Sequence, residues 1–165
     1  MMRYKDYFDE DEWKTVQYGL MWVFRGVAGA DGKIDKDEQN ALTKVIKSHK
    51  NFDNFFVKEV FKSLEDNPGN YFRQSINDHR DFKSGLAEVA EILDQKISLD
   101  VALEFKKILT AAGIYVANSS GDTTGSKISE EEVEQLSKLA FHLKMTMEDL
   151  RAEPSIDMIL KKFVK

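Results

Sequence analysis

The sequence predicts an all-α protein: a bundle of seven or eight helices, with residues 1–165 forming a single domain. Three observations predict it. Apolar residues recur at intervals of three and four through most of the chain, and no run reads convincingly as a strand. Only two prolines, Pro68 and Pro154, interrupt it. Ser, Thr or Asp stands just ahead of several apolar runs, where a helix N-cap satisfies backbone N–H groups that lack intrahelical partners.

The first helix is expected over residues 11–29, with Trp13, Val16, Leu20, Val23, Phe24 and Val27 at helical spacing. Its stretch from Leu20 to Phe24 is apolar without a break, which makes it a central helix covered on several sides. Gly29 and Gly32 supply the backbone freedom to end it and turn. Asp35 opens the second helix as N-cap, Glu38 completes a capping box, and Ala41, Leu42, Val45 and Ile46 form the apolar face. A third helix spans residues 53–64 on Phe56, Val57, Val60, Phe61 and Leu64. Asn67-Pro68-Gly69-Asn70 reads as a turn, followed by a short helix through Tyr71, Phe72 and Ile76. Another covers residues 81–94 on Leu86, Val89, Ala90 and Leu93.

Ser98 caps the next helix, built on Val101, Leu103, Phe105, Ile108, Leu109, Ala112 and Val116. Residues 118–127 are rich in Ser, Thr and Gly and read as a loop. Ser129 and Glu132 form a second capping box ahead of Val133, Leu136, Leu139 and Ala140. Thr146 caps one more turn, and Ser155 a final helix with Ile156, Ile159, Leu160 and Phe163. The two loop junctions form a weak repeat. Each follows Val-Ala (Val27-Ala28, Val116-Ala117), contains Gly, and continues through Lys-Ile to a Glu four places on. One copy per half suggests pseudo-twofold packing.

Composition excludes several classes. With no cysteine there is no disulfide framework, thiolate metal site or cysteine nucleophile. A net charge of −5 argues against nucleic acid as the main partner; the basic cluster Lys161, Lys162, Lys165 suits a helix C-terminus. The N-terminal residues are acidic rather than signal-like, and the most apolar run, residues 16–30, is too short to span a bilayer. The expected location is the cytoplasm.

The first junction carries the most chemical information. Ala28-Gly29-Ala30-Asp31-Gly32-Lys33-Ile34-Asp35-Lys36-Asp37-Glu38 gathers four carboxylates within eight residues, around Gly32. Set against the EF-hand loop with Glu38 at position twelve, Asp31 falls at five, Gly32 at six and Asp35 at nine. The first half does not fit, because Val27 and Gly29 occupy positions one and three without side-chain oxygens. The simpler reading is two capping boxes with no ligand, each cap residue worth about 1 kcal/mol.

Asp31-Gly32-Lys33-Ile34 followed by Glu38 between apolar helices, with a second such junction later, resembles the TerB-like tellurite-resistance family over residues 16–150. The resemblance implies a single-domain helical bundle with two acidic loops implicated in divalent cation binding. That fold is similar to the N-terminal domain of a membrane-associated DnaJ-type co-chaperone. It carries Asp31, Asp35 and Glu38 over as ligand positions. The second junction departs from the pattern, since Asn118-Ser119-Ser120-Gly121-Asp122-Thr123-Thr124-Gly125 replaces the family's Ala-Asp-Gly; Asp122 and Glu132 are its candidates.

Other motifs carry less. His79-Arg80-Asp81 lacks the Asn and Gly-rich loop of a kinase, and residues 121–127 lack the order of a phosphate loop. His49, His79 and His142 share no metal spacing. Carboxylate pairs such as Glu88 and Glu91 are ordinary on helix surfaces, and nothing points to an enzyme. The leading expectation is a non-enzymatic module, in a stress-response or signalling role, that binds Ca²⁺, or Mg²⁺ or Mn²⁺, through oxygen ligands. The first junction, with its short loop, is expected to bind more tightly than the second. The alternative is a metal-independent interaction scaffold or chaperone adaptor whose acidic loops are only helix caps. The expected partner is a protein, a second copy in a homodimer included. Phe52 and Phe55 are the least well phased aromatics; core is the default for both, and exposure would mark a partner surface.

Overall fold

Two 19-residue helices, α1 (Glu10–Ala28) and α6 (Leu99–Ala117), pack along each other at the centre of the computed structural model. The structure describes residues 3–28, 35–119 and 130–164. Among these the remaining helices are α2 (Lys36–Lys47), α3 (Phe55–Leu64), α4 (Pro68–Asn77), α5 (Phe82–Lys96), α7 (Glu130–His142), α8 (Met147–Arg151) and α9 (Ile156–Phe163). Two 3-10 turns, Tyr4–Tyr7 and Ser48–Asn51, precede α1 and follow α2. The described residues are thus all-helical, with nine α-helices and no strand.

The unbroken apolar run of α1 explains its place. Leu20 to Phe24 are all buried, because α5 covers one side of the helix and α6 another. Glycine lets these helices close. A Cβ on Gly113 would lie 3.0 Å from the Val23 carbonyl oxygen, and one on Gly85 would lie 2.6 Å from the Trp22 ring. Around this centre α2, α7 and α9 lean on α6, while α3 and α4 lean on α1. The buried side chains form one hydrophobic cluster that runs from Phe8 to Phe163.

Local signals hold at several helix starts. Asp35 accepts from Glu38 N–H at 2.8 Å and Glu38 returns a bond to Asp35 N–H at 3.1 Å, the expected capping box. Asp81, Thr146 and Ser155 cap α5, α8 and α9. Ser98 occupies the N-cap of α6 but makes no side-chain capping bond. Ser129 and the Glu132 side chain lie outside the described residues.

Five expectations need correction. The helix count is nine among the described residues, not seven or eight, because the turn expected after Thr146 is a short helix of its own, α8. Asn67-Pro68-Gly69-Asn70 is a helix start rather than a turn: Asn67 accepts from Asn70 N–H at 3.1 Å and Pro68 takes the first helical position, where no N–H is needed. The start of α1 lies one residue earlier than expected, because Asp9 and Glu12 exchange 2.8 Å capping bonds. The third helix starts at Phe55, not at residue 53, with Asn54 as its cap. Val133 is exposed and not core, since Leu136, Leu139 and Ala140 already fill the inner face of α7.

Candidate functional site

The acidic junctions fall mostly outside the described residues. Asp31 and Asp122 lie there, as does the Glu132 side chain, although residue 132 belongs to the first turn of α7. Asp35 and Glu38 are described, side by side at the start of α2, each committing an oxygen to the other's backbone N–H. Among the described residues no group of three or more His, Asp or Glu is placed to hold a metal.

Two polar networks were invisible in the sequence. Arg80, from the His79-Arg80-Asp81 run, donates to Asp78 Oδ1 at 2.9 Å and Oδ2 at 3.0 Å, to Glu88 Oε2 at 2.7 Å and to Thr15 Oγ1 at 2.9 Å. Its guanidinium lies 5.0 Å from the Trp22 ring centroid. The Arg80 hydrogen bonds hold the Asp78 carboxyl down at about 2, against the opposing pull of burial. All three guanidinium nitrogens donate within the protein, and the cluster ties the end of α4 to α1 and α5. On α6, two adjacent lysines are buried. Lys106 pairs with both oxygens of Asp94 at 2.9 and 3.1 Å. Lys107 is 2% exposed and donates to the Ala152 carbonyl at 2.9 Å. Burial pushes the Lys107 ammonium below the ordinary lysine range, partly opposed by Asp149 and Glu104.

A third feature is open to solvent. The polar edge of α3, the second 3-10 turn and the N-terminal 3-10 turn enclose a groove of about 770 Å³. Glu59 of α3 builds it. Its carboxylate accepts from the Tyr4 and Lys5 backbone N–H groups at 2.9 and 2.7 Å, which satisfies the start of the N-terminal turn and pins it to α3. Tyr4 then lies edge-on to Phe56 at 5.2 Å. Into this groove α3 presents Phe55, Lys58, Glu59 and Lys62, its outward face at i, i+3, i+4 and i+7. Phe56, Val57, Val60, Phe61 and Leu64 point the other way into the core.

Phe55 is 74% exposed, with Lys58 Nζ 5.5 Å from its ring centroid. Phe52, the other aromatic in question, is 2% exposed, packed on Phe163 and covered by Lys162. The core default therefore holds for Phe52 and fails for Phe55. Arg3 and Lys50 add charge to the rim, and His49 approaches Glu65 at 3.6 Å. Among the described residues Arg3, Lys50, Lys58 and Lys62 form no ion pair, as is true of most surface lysines and arginines here, and what sets them apart is that they share one groove. The sequence held one signal for this site: a phenylalanine in phase with two lysines on the polar side of an amphipathic helix. It held none for the contribution of Arg3, Tyr4 and Tyr7, which depends on docking through Glu59.

No known family, curated protein or solved structure matches this chain. The TerB-like resemblance accordingly rests on its loop residues alone.

Proposed function

We propose that this chain is a non-enzymatic protein-interaction module whose working surface is the Phe55 groove. The observation that carries the reading is Phe55. Fully burying a phenylalanine is worth roughly 1.5–3 kcal/mol, yet this one stays in solvent beside cations that have no carboxylate partner. Phe141 is as exposed, at 76%, but it packs beside His142 on α7 and not in the Phe55 groove. An apolar anchor within a charged rim is the usual anatomy of an interface hot spot.

A photo-crosslinking residue placed at position 55 in cells tests this. Discrete adducts are expected, and a chain that also carries Lys58→Glu and Lys62→Glu loses them. Absence of adducts from position 55, or adducts indifferent to the charge reversals, overturns the reading.

Cation binding at the first junction draws its support from the adjacency of Asp35 and Glu38. The capping box already uses an oxygen of each, and the groove therefore ranks first. A stress-response role like that of the TerB-like family would be compatible with either. α1 pairs with α6 and each is followed by a helix, α2 and α7, but both of these pack chiefly on α6, whereas a twofold exchange would put one on each, so the packing lends the pseudo-twofold relation little support.

A further inference from the structure

We infer that the Phe55 groove takes an acidic peptide segment bearing one aromatic or branched apolar side chain, which seats on Phe55 while its carboxylates meet Arg3, Lys50, Lys58 and Lys62. The inference rests on the groove reading above and names its occupant.

Charge selects the partner's sign. Four cations line the groove against one carboxylate, Glu59, and both oxygens of Glu59 are taken by the Tyr4 and Lys5 amides. An incoming carboxylate therefore meets four cations and a single resident carboxylate, each of whose oxygens already accepts an amide. The excess is local, because the whole chain carries −5.

Spacing selects a peptide. Lys58 and Lys62 stand one helical turn apart, about 6 Å along α3. Carboxylates two residues apart on an extended strand recur at about 6.7 Å, and those four apart on a helix at about 6 Å, so either backbone meets both lysines. The apolar contribution comes from Phe55, which an aromatic side chain can cover while Lys58 stays over the ring.

A broad polyanion fits worse. The neighbouring groove, which shares Arg3, Glu59 and Lys62, adds Asp6, Asp9 and Glu10 against Lys5 and Lys14, so the positive excess ends there. A nucleic-acid backbone or a lipid surface broad enough to engage all four cations would bring phosphates against these carboxylates. A short peptide is narrow enough to avoid them.

The test is fluorescence anisotropy on the full chain with a labelled synthetic peptide, a central Trp flanked on both sides by alternating Asp and Glu. Saturable binding is expected with Kd on the order of 10⁻⁵ M, weakening with salt. Phe55→Ala and the Lys58→Glu/Lys62→Glu pair should each weaken it about tenfold or more, with unfolding curves unchanged because these side chains lie outside the core. Phe141→Ala should leave binding intact, and a peptide with Ala for Trp should bind at least several-fold more weakly. No binding, or binding indifferent to Phe55→Ala, overturns the inference. Preferred binding to equimolar phosphatidylcholine–phosphatidylserine vesicles or to oligothymidylate overturns it too, as does self-association abolished by Phe55→Ala. If crosslinks from position 55 persist while the peptide fails, the occupant is wrong and the groove reading stands. If both fail, the groove reading falls with it.

Discussion

Asp78→Asn should convert the acid sensitivity of this protein into a measurable difference. In the folded chain the Arg80 hydrogen bonds hold the Asp78 carboxyl at about 2, against 3.8 for an unperturbed aspartate. Each pH unit of such separation is worth about 1.4 kcal/mol, so the pair contributes about 2 kcal/mol at neutral pH. The side chain is only 15% exposed, so solvent screening removes little of this. Arg80 is raised by the same bonds, and the interaction is counted once.

The sign depends on which state takes up the proton first. Above about pH 5 both states hold Asp78 ionised and the full contribution is present. As pH falls from about 5 towards 2, the unfolded chain protonates ahead of the folded one, and the contribution drains away. Urea unfolding followed by circular dichroism across this range should show wild type losing its advantage over Asp78→Asn. At neutral pH the variant should be less stable by about 2 kcal/mol, since an amide cannot accept two charge-assisted bonds from Arg80. Near pH 2 the two curves should approach each other. A gap as wide at about pH 2.5 as at pH 7 would refute the idea that Arg80 holds this carboxyl low.

Gly85→Ala should destabilise by about 1–3 kcal/mol in urea unfolding, because the added methyl meets the buried Trp22 ring at 2.6 Å and this outweighs the gain in helix propensity. The same substitution at Gly69, where the nearest neighbour atom is Arg73 Nη1 at 3.5 Å, should be neutral or slightly stabilising. Lys107 binds its proton less tightly folded than unfolded, so wild type should gain stability as pH rises towards 10.5, and Lys107→Met should lose that slope in alkaline urea titrations. Glu38→Gln should cost about 1 kcal/mol or less through the capping box, equally with and without millimolar Ca²⁺ in thermal melts. A Ca²⁺-dependent loss there would instead favour the cation reading.

Local features were the legible ones in the sequence. The caps at Asp35, Asp81, Thr146 and Ser155 act across three residues, so residue type and spacing suffice to read them. The inner faces of α2 and α3 come from helical phase alone. Pro68 misled because an Asn-Pro-Gly run satisfies turn chemistry and helix-start chemistry equally well, and the apolar phase of Tyr71, Phe72 and Ile76 decides between them. Phe52 and Phe55 look alike in sequence. They part because α9, over a hundred residues later, brings Phe163 and Lys162 onto Phe52, while Phe55 has Lys58 of its own helix over the ring and stays 74% exposed. Lys107 could not be placed inside either, since its acceptor is a backbone carbonyl 45 residues away. The candidate cation residues Asp31 and Asp122 lie outside the described residues, while the groove arises from a contact between Glu59 and the N-terminal turn, 55 residues apart.

That contact separates two accounts of the groove. If only net charge matters, removing the carboxylate at position 59 raises the positive potential and strengthens binding of an acidic peptide. If shape matters, Glu59 is needed because its two oxygens hold the Tyr4 and Lys5 amides, which place Arg3, Tyr4 and Tyr7 on the rim. In Glu59→Gln one oxygen remains to accept and the new NH₂ faces a backbone donor, so one of the two bonds is lost. The N-terminal turn should loosen, with faster amide exchange at Tyr4 and Lys5. Peptide affinity should fall by several-fold, against the electrostatic expectation, because half of the groove wall is no longer held in place. Tighter binding by Glu59→Gln, or unchanged exchange at those two amides, would show that the N-terminal turn does not shape the site and that charge alone does.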